Sequence, residues 1–340
     1  LFEWFILKIV IPTIFHTSPF TRRIPYIYVM TNAYIDRRSF IRTATAMGLG
    51  AAAMSLTHPT GKKKMPLSFS TLGCPDWDYD EILSFASKNQ YQGIEIGVIA
   101  RQIDLPSITI FNTPDKIRTA RKKAEDLNLK IVNLGSSAAM HHPDGPDREK
   151  IMDEARRFID LARALGCPYI RVYPNDFPKD VDKKTAMERM TRGLRSLGDH
   201  AKGSGVTVLL ETHGDLLYAE DIVSLMKDVN HPEVGLIWDI VNMWSVTKEP
   251  PAVVYPKIAS HIRHVHVKDY RMENGKMRHC FVGQGISPIF SGIDALRKAG
   301  YKGFYSFEWE KLWHPEIEEP DKALPYYVGV MRAYEDKYGV

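Results

Sequence analysis

Between residues 67 and 337 the chain alternates short apolar runs with helix-length segments, and no other feature limits its fold so tightly. The apolar runs are residues 66–71, 93–97, 130–134, 169–173, 206–211, 234–239, 262–266 and 304–308. They are short and nearly all apolar, as strands covered on both faces must be. The segments between them are helical in spacing. Ile82, Leu83, Phe85 and Ala86 recur on one face, Thr113-Pro114 supplies a cap and a first-turn proline, and Gly166 and Gly203 stand where helices close. Strands separated by helices pair in parallel, and eight such units predict an α/β protein closed into a (β/α)8 barrel, the TIM barrel. A doubly wound open sheet is disfavoured: no glycine-rich phosphate loop follows an early strand, and polar groups recur at nearly every strand end. Residues 61–340 suit one such barrel, typically about 250 residues long.

Residues 1–60 read differently. Arg37-Arg38 is followed by Ser39-Phe40-Ile41-Arg42 and then by a weakly apolar Ala/Gly stretch and small residues. That order predicts an export signal of the twin-arginine type, outside the fold, with Met30 as a start. The implied location is periplasmic or exported, otherwise cytoplasmic. Residues 1–15 carry Glu3, Lys8 and Pro12, so they fall short of a membrane span, and no stable membrane insertion is expected.

Charge narrows the functions. Six of the 45 Lys/Arg and two of the 41 Asp/Glu lie in residues 1–60, which leaves 39 of each in the body. A balanced body argues against a nucleic-acid surface, which needs clustered excess cations. Cys74, Cys167 and Cys280 are odd in number and far apart, with no Cys-x-x-Cys pair, so neither a disulfide framework nor a thiolate zinc site is expected.

Glu211, Asp239, His266 and Glu308 end four consecutive apolar runs. Taken singly, such an Asp is an ordinary helix N-cap, such a Glu a rim salt bridge and such a His a hydrogen-bonded interior residue. Together they differ, because strand C-termini in this fold face one cavity. Carboxylates gathered there repel unless a cation holds them. Three carboxylates and one imidazole suit one divalent ion, Mn2+, Mg2+, Co2+ or Zn2+. His264 and His266 share a strand face, and the later one reaches the rim. Glu308 ends its strand directly, while Glu310 is placed as a supporting group or ion pair. Glu95, His141, Arg171, His213, Asn242 and Lys268 are candidates for substrate recognition around the rim, with an internal ion pair to Glu95 as the alternative for Arg171.

The segments Leu-Leu-Glu211-Thr-His, Trp-Asp239-Ile-Val-Asn242, His264-Val-His266-Val-Lys-Asp269 followed by Gly283-Gln-Gly285, and Ser-Phe-Glu308-Trp-Glu resemble the xylose isomerase-like TIM barrels, the sugar phosphate isomerase/epimerase group. The resemblance spans most of residues 67–337. It implies that Glu211, Asp239, His266 and Glu308 hold one divalent ion and that Glu211 and Glu308 move a proton next to a sugar carbonyl, through an enediolate the ion stabilises. The ketose 3-epimerases of the family carry a histidine three residues after the aspartate, where this chain has Asn242. An isomerase or epimerase acting on an unphosphorylated sugar is therefore the expectation, with a 3-keto-glycoside lyase on the same site as the alternative. An endonuclease IV-like phosphodiesterase ranks lower, since it needs more histidine ligands and a cationic groove, and a non-catalytic sugar-binding barrel ranks lower too. A small-molecule sugar is the expected partner, and a homo-oligomer stays open.

Overall fold

The computed structural model describes residues 64–338, so the address expected in residues 1–60 lies outside them. Eight parallel strands close into a barrel: β1 (Leu67–Ser70), β2 (Gly93–Ile96), β3 (Lys130–Ala139), β4 (Tyr169–Tyr173), β5 (Thr207–Glu211), β6 (Val234–Asp239), β7 (Ile262–Val267) and β10 (Tyr305–Phe307). Each pairs with its neighbours in sequence, and β1 closes the ring between β2 and β10. Helices α1 (Tyr79–Lys88), α2 (Pro114–Asp126), α3 (Pro146–Leu165), α4 (Lys183–Ala201), α5 (Ala219–Val229), α6 (Ile240–Thr247), α7 (Pro251–Ile258), α8 (Ile289–Lys298) and α9 (Pro320–Tyr338) follow the strands in chain order. This is the TIM barrel that the alternation predicts.

Local chemistry explains the boundaries. Asp78, Thr113 and Asp182 each accept a backbone N–H of the first turn of α1, α2 and α4. Gly166, at φ 71°, ends α3 in the left-handed conformation that glycine adopts without penalty. On the outside of the barrel, Phe307 of β10 stacks on Tyr327 of α9 with ring centroids 4.7 Å apart. Two elements depart from the sequence reading. β8 (Tyr270–Glu273) and β9 (Lys276–His279) form an antiparallel hairpin after β7, turning at Asn274-Gly275 with φ of 51° and 74°. That is the Asn-Gly turn whose twist fits a two-residue hairpin. The second is α6, whose apolar residues continue the run of β6 without a break. Among the described residues, no helix is long and apolar enough to cross a membrane.

Candidate metal centre

Strand alternation decides what lines the barrel. In β7, His264 and His266 point inward while Val265 points toward the helices, and in β10 Ser306 alternates with Phe307 in the same way. Pairing then sets the heights. Asp239 lies directly opposite His266, His266 opposite Ser306, and Glu211 opposite Ile237. The interior is therefore polar at its upper end, and Glu95, Arg171, Glu211, Asp239, His264, His266, Lys268 and Glu308 are all buried there.

Four of these converge at the top. Glu211, Asp239, His266 and Glu308 each present a ligand atom, and all four atoms lie within 4.8 Å of one another. His266 Nδ1 is 3.3 Å from Glu211 Oε1 and 3.3 Å from Glu308 Oε1. Its other nitrogen, Nε2, faces Glu95 Oε2 at 3.1 Å, and Glu95 also meets His264 Nε2 at 2.8 Å and accepts from Ser306 Oγ at 3.2 Å. Glu95 thus stands beneath the cluster as the partner of both histidines. Sequence reasoning placed it among the candidates for substrate recognition; in the structure it is fully buried against His264 and His266. A shift in strand register falls between Ile94 and Glu95, beside this carboxylate.

Asp239 has two roles at once. Its Oδ1 accepts from the backbone of Val241 at 2.9 Å and Asn242 at 2.7 Å, capping α6. Its Oδ2 stays turned to the cluster, 2.8 Å from Lys268 Nζ. Thr212 fixes the turn, since Asp239 N donates to Thr212 Oγ1 at 2.9 Å. Lys268 reaches Glu308 Oε2 at 2.8 Å and Glu310 Oε1 at 2.6 Å as well. Arg171 pairs with Glu211 at 3.5 Å and Glu308 at 3.7 Å, so its ion partners are these and not Glu95. Its guanidinium lies over the Tyr173 ring, 4.2 Å from the centroid.

The charges of the protein groups explain the titration of the site. Burial alone would push the His266 imidazole down, but Glu308, Glu95 and Glu211 hold it well above its ordinary range. Burial likewise works to raise Glu308, yet His266, Lys268 and Arg171 keep its carboxyl well below the usual carboxylate range. Asp239 is pushed up to about 6 by burial, against the pull of Lys268.

A divalent ion fits this arrangement. Four buried carboxylates, Glu95, Glu211, Asp239 and Glu308, face two permanent cations, Arg171 and Lys268, which leaves two negative charges when His266 is neutral. Glu211 Oε2 is buried and, beyond its 3.5 Å ion pair with Arg171, has no hydrogen-bond partner among the described residues, a costly condition for a carboxylate oxygen. The donor set, oxygen-rich with one imidazole, is that of Mn2+, Mg2+, Co2+ or Zn2+. Glu95 faces Nε2 of His266, so loss of the other proton on ion binding would leave the Nδ1 lone pair turned toward the cluster, the usual support for a ligating histidine.

The remaining candidates form an outer arc. His213 is half-buried, its ring centroid 5.1 Å from that of Tyr173. His141 is also half-buried, its Nδ1 3.1 Å from the Pro174 carbonyl and its ring stacked on His142. Asn242 donates from Nδ2 to the Thr212 carbonyl at 3.3 Å. Among the described residues, none of these three side chains forms a hydrogen bond or ion pair with the four converging groups. Trp238 and Trp309 are fully buried packing residues, whereas Trp313 is 58% exposed. Asp269 organises the loop after β7. It accepts backbone N–H groups from Tyr270, Gly283, Gly285 and Ser287 at 2.8, 2.9, 2.9 and 3.2 Å. A Cβ on Gly285 would strike the Asp269 carboxylate, which is the physical reason for glycine there.

Comparison with known proteins follows the same line. The chain is 29% identical over 214 residues to the uncharacterized protein YihM of Escherichia coli, covering 62% of this chain and 59% of that protein. It is 24% identical over 156 residues to inosose dehydratase of Lacticaseibacillus casei, covering 41% of this chain and 50% of the relative. The chain thus spans about half to three-fifths of the length of these curated relatives. Among solved structures, D-psicose 3-epimerase from Clostridium cellulolyticum superposes with a TM-score of 0.64 at 19% identity, over 80% of this chain and 99% of that one. That likeness shows the shared fold. The model of the family described as xylose isomerase-like TIM barrel matches residues 83–328, and the chain belongs to that family.

Proposed function

We propose that this protein is a divalent-metal-dependent isomerase or epimerase that moves a proton next to the carbonyl of a sugar. One observation carries the reading: Glu211 and Glu308 present carboxylate oxygens 3.3 Å from the same imidazole nitrogen, inside a buried set of four ligand groups. Glu211, Asp239, His266 and Glu308 would hold the ion, which would supply Lewis-acid polarisation of the carbonyl. Glu308 is kept ionised by Lys268 and Arg171, so it can accept a proton from the carbon beside that carbonyl. Glu211, from a different strand, enters the step protonated and gives its proton to the substrate, so the two carboxyls exchange protonation states in each turnover. Return to the opposite face of the same carbon is epimerisation, and return to the neighbouring carbon is isomerisation. Glu95 keeps His266 in the tautomer that faces the cluster. Arg171 bridges the two working carboxylates and restrains their separation.

A second reading has specific support. Asn242 stands where the ketose 3-epimerases of the family carry histidine, and the chain is similar to a dehydratase. Loss of a leaving group from the β-carbon after the same deprotonation would make the protein a lyase, with 3-keto-glycosides as substrates. The Arg37-Arg38 motif supports export, and sugar phosphates are cytoplasmic metabolites, so the proposed substrate is unphosphorylated. Incubation with a panel of keto-sugars and keto-glycosides in heavy water tests all three points. Deuterium at the carbon beside the carbonyl without fragmentation supports the isomerase, and released aglycone supports the lyase. Activity confined to sugar phosphates contradicts the substrate, and no exchange with any keto compound contradicts the proton-transfer reading.

A further inference from the structure

We infer that His279, Glu310 and His314 form a second divalent-cation site at the outer lip of the barrel, with a nitrogen-rich donor set suited to zinc. His279 ends β9, and Glu310 and His314 lie in the segment that follows β10, so the unforeseen hairpin is what brings them together. One ligand atom from each lies within 4.8 Å of the other two. Glu310 Oε2 is 3.8 Å from His279 Nε2 and 3.9 Å from His314 Nε2. Those separations are too long for hydrogen bonds, but slightly longer than the roughly 3.3 Å between neighbouring ligands of a tetrahedral zinc ion with 2.0–2.1 Å bonds. Small side-chain rotations close the difference.

Burial supplies the independent observation. The His279 side chain is only 4% exposed; Nε2, the nitrogen that faces the site, lies 3.8 Å from Glu310 Oε2, and the other ring nitrogen, Nδ1, is also without a hydrogen-bond partner among the described residues. A buried imidazole with Nδ1 unbonded and Nε2 facing a carboxylate beyond bonding range is poorly satisfied by protein groups alone. Its ring is fixed between Tyr270, at 4.5 Å, and His314, at 4.7 Å between centroids. On the solvent side, Glu316 Oε1 lies 3.6 Å from His314 Nδ1 and 3.1 Å from Arg278 Nη1, a carboxylate placed to orient the histidine. Two imidazoles and one carboxylate make an open three-ligand set of the kind that zinc completes with a solvent or substrate oxygen. Glu310 links this site to the first, since its Oε1 holds Lys268 at 2.6 Å while Oε2 faces the histidines. An ion here would draw on the same carboxylate that restrains Lys268.

The inference does not depend on the isomerase reading, and zinc stoichiometry tests it separately. The full chain, its His314→Ala and His279→Gln variants, and Asp239→Asn are each equilibrated with Zn2+, desalted and measured for bound metal. The expected result is an equivalent of zinc that remains in Asp239→Asn and disappears in both histidine variants. An equivalent with that behaviour supports the site whatever the four-residue cluster above β5–β10 binds. Its absence, whether the native chain holds no such equivalent or the histidine variants retain it, overturns the site. His314 is 41% exposed on a loop, so its replacement leaves the barrel folded, and circular dichroism of each variant verifies this.

Discussion

At the scale of single residues, Glu308 and Glu95 separate the chemistry from its support. Glu308 touches Lys268, Arg171 and His266 and is the proposed base. Glu308→Gln keeps the shape and removes the charge, so turnover should fall by about 10²–10⁴-fold, the usual contribution of a positioned acid or base, in a deuterium-exchange assay. Among the described residues, the polar contacts of Glu95 are to His264, His266 and Ser306. Glu95→Gln should weaken metal binding by about 10–100-fold while leaving the Michaelis constant of the metal-saturated enzyme nearly unchanged. A raised Michaelis constant at saturating metal would return Glu95 to the sugar-contacting role that the sequence suggested. The cysteines make a pH prediction. Burial pushes Cys74 well above the ordinary thiol range and Cys167 up to about 12. A raised folded pKa means that the unfolded chain loses its protons first. The stability these thiols contribute is complete below the unfolded value, about 8.5, and declines as pH rises from there toward the folded value. Denaturant midpoints measured from pH 7 to 11 should therefore fall above pH 9, and a flat profile would count against the buried thiols.

At the scale of elements, the loop after β7 is organised by Asp269. Its carboxylate gathers four backbone N–H groups across residues 270–287, of which that of Tyr270 also donates to Ser287 Oγ at 3.2 Å. Asp269→Ala leaves those donors without an ionised acceptor and should cost about 1–3 kcal/mol per group that water does not reach. Amide hydrogen exchange should show faster exchange confined to residues 270–287 with the barrel strands unaffected. Uniform acceleration through the strands would mean that Asp269 holds the whole barrel. This element also shows where sequence reading runs out. The alternation of apolar strands and helices was legible because burial on both faces forces an apolar run. β8 and β9 are largely exposed, so no burial pattern marks them, and only Asn274-Gly275 betrayed the turn. The apolar run Ile240–Thr247 hid α6, because a strand running directly into a helix leaves no break in hydrophobicity.

At the scale of the whole molecule, the barrel turns four distant positions into one site. Asp239 and His266 are paired neighbours in the sheet, while Glu211 and Glu308 enter from strands on either side. The four converging residues were legible because each ends an apolar run. The contacts of Glu95 and Arg171 were not, because contacts across a barrel depend on register and depth. A ligand held by β5, β6, β7 and the end of β10 ties half of the ring together, so metal binding should stabilise the fold. At a hundredfold excess over its dissociation constant the gain is about 2.7 kcal/mol, a rise of several degrees in melting temperature. Calorimetry with and without a chelator should show that rise, and its loss in Asp239→Asn. The central claim is that Glu211, Asp239, His266 and Glu308 hold one ion. Anomalous diffraction at the manganese edge from crystals equilibrated with Mn2+ tests it most directly. A strong peak is expected within about 2.0–2.6 Å of a ligand atom from each of the four residues. A map without density there, or with manganese bound only elsewhere, would contradict it.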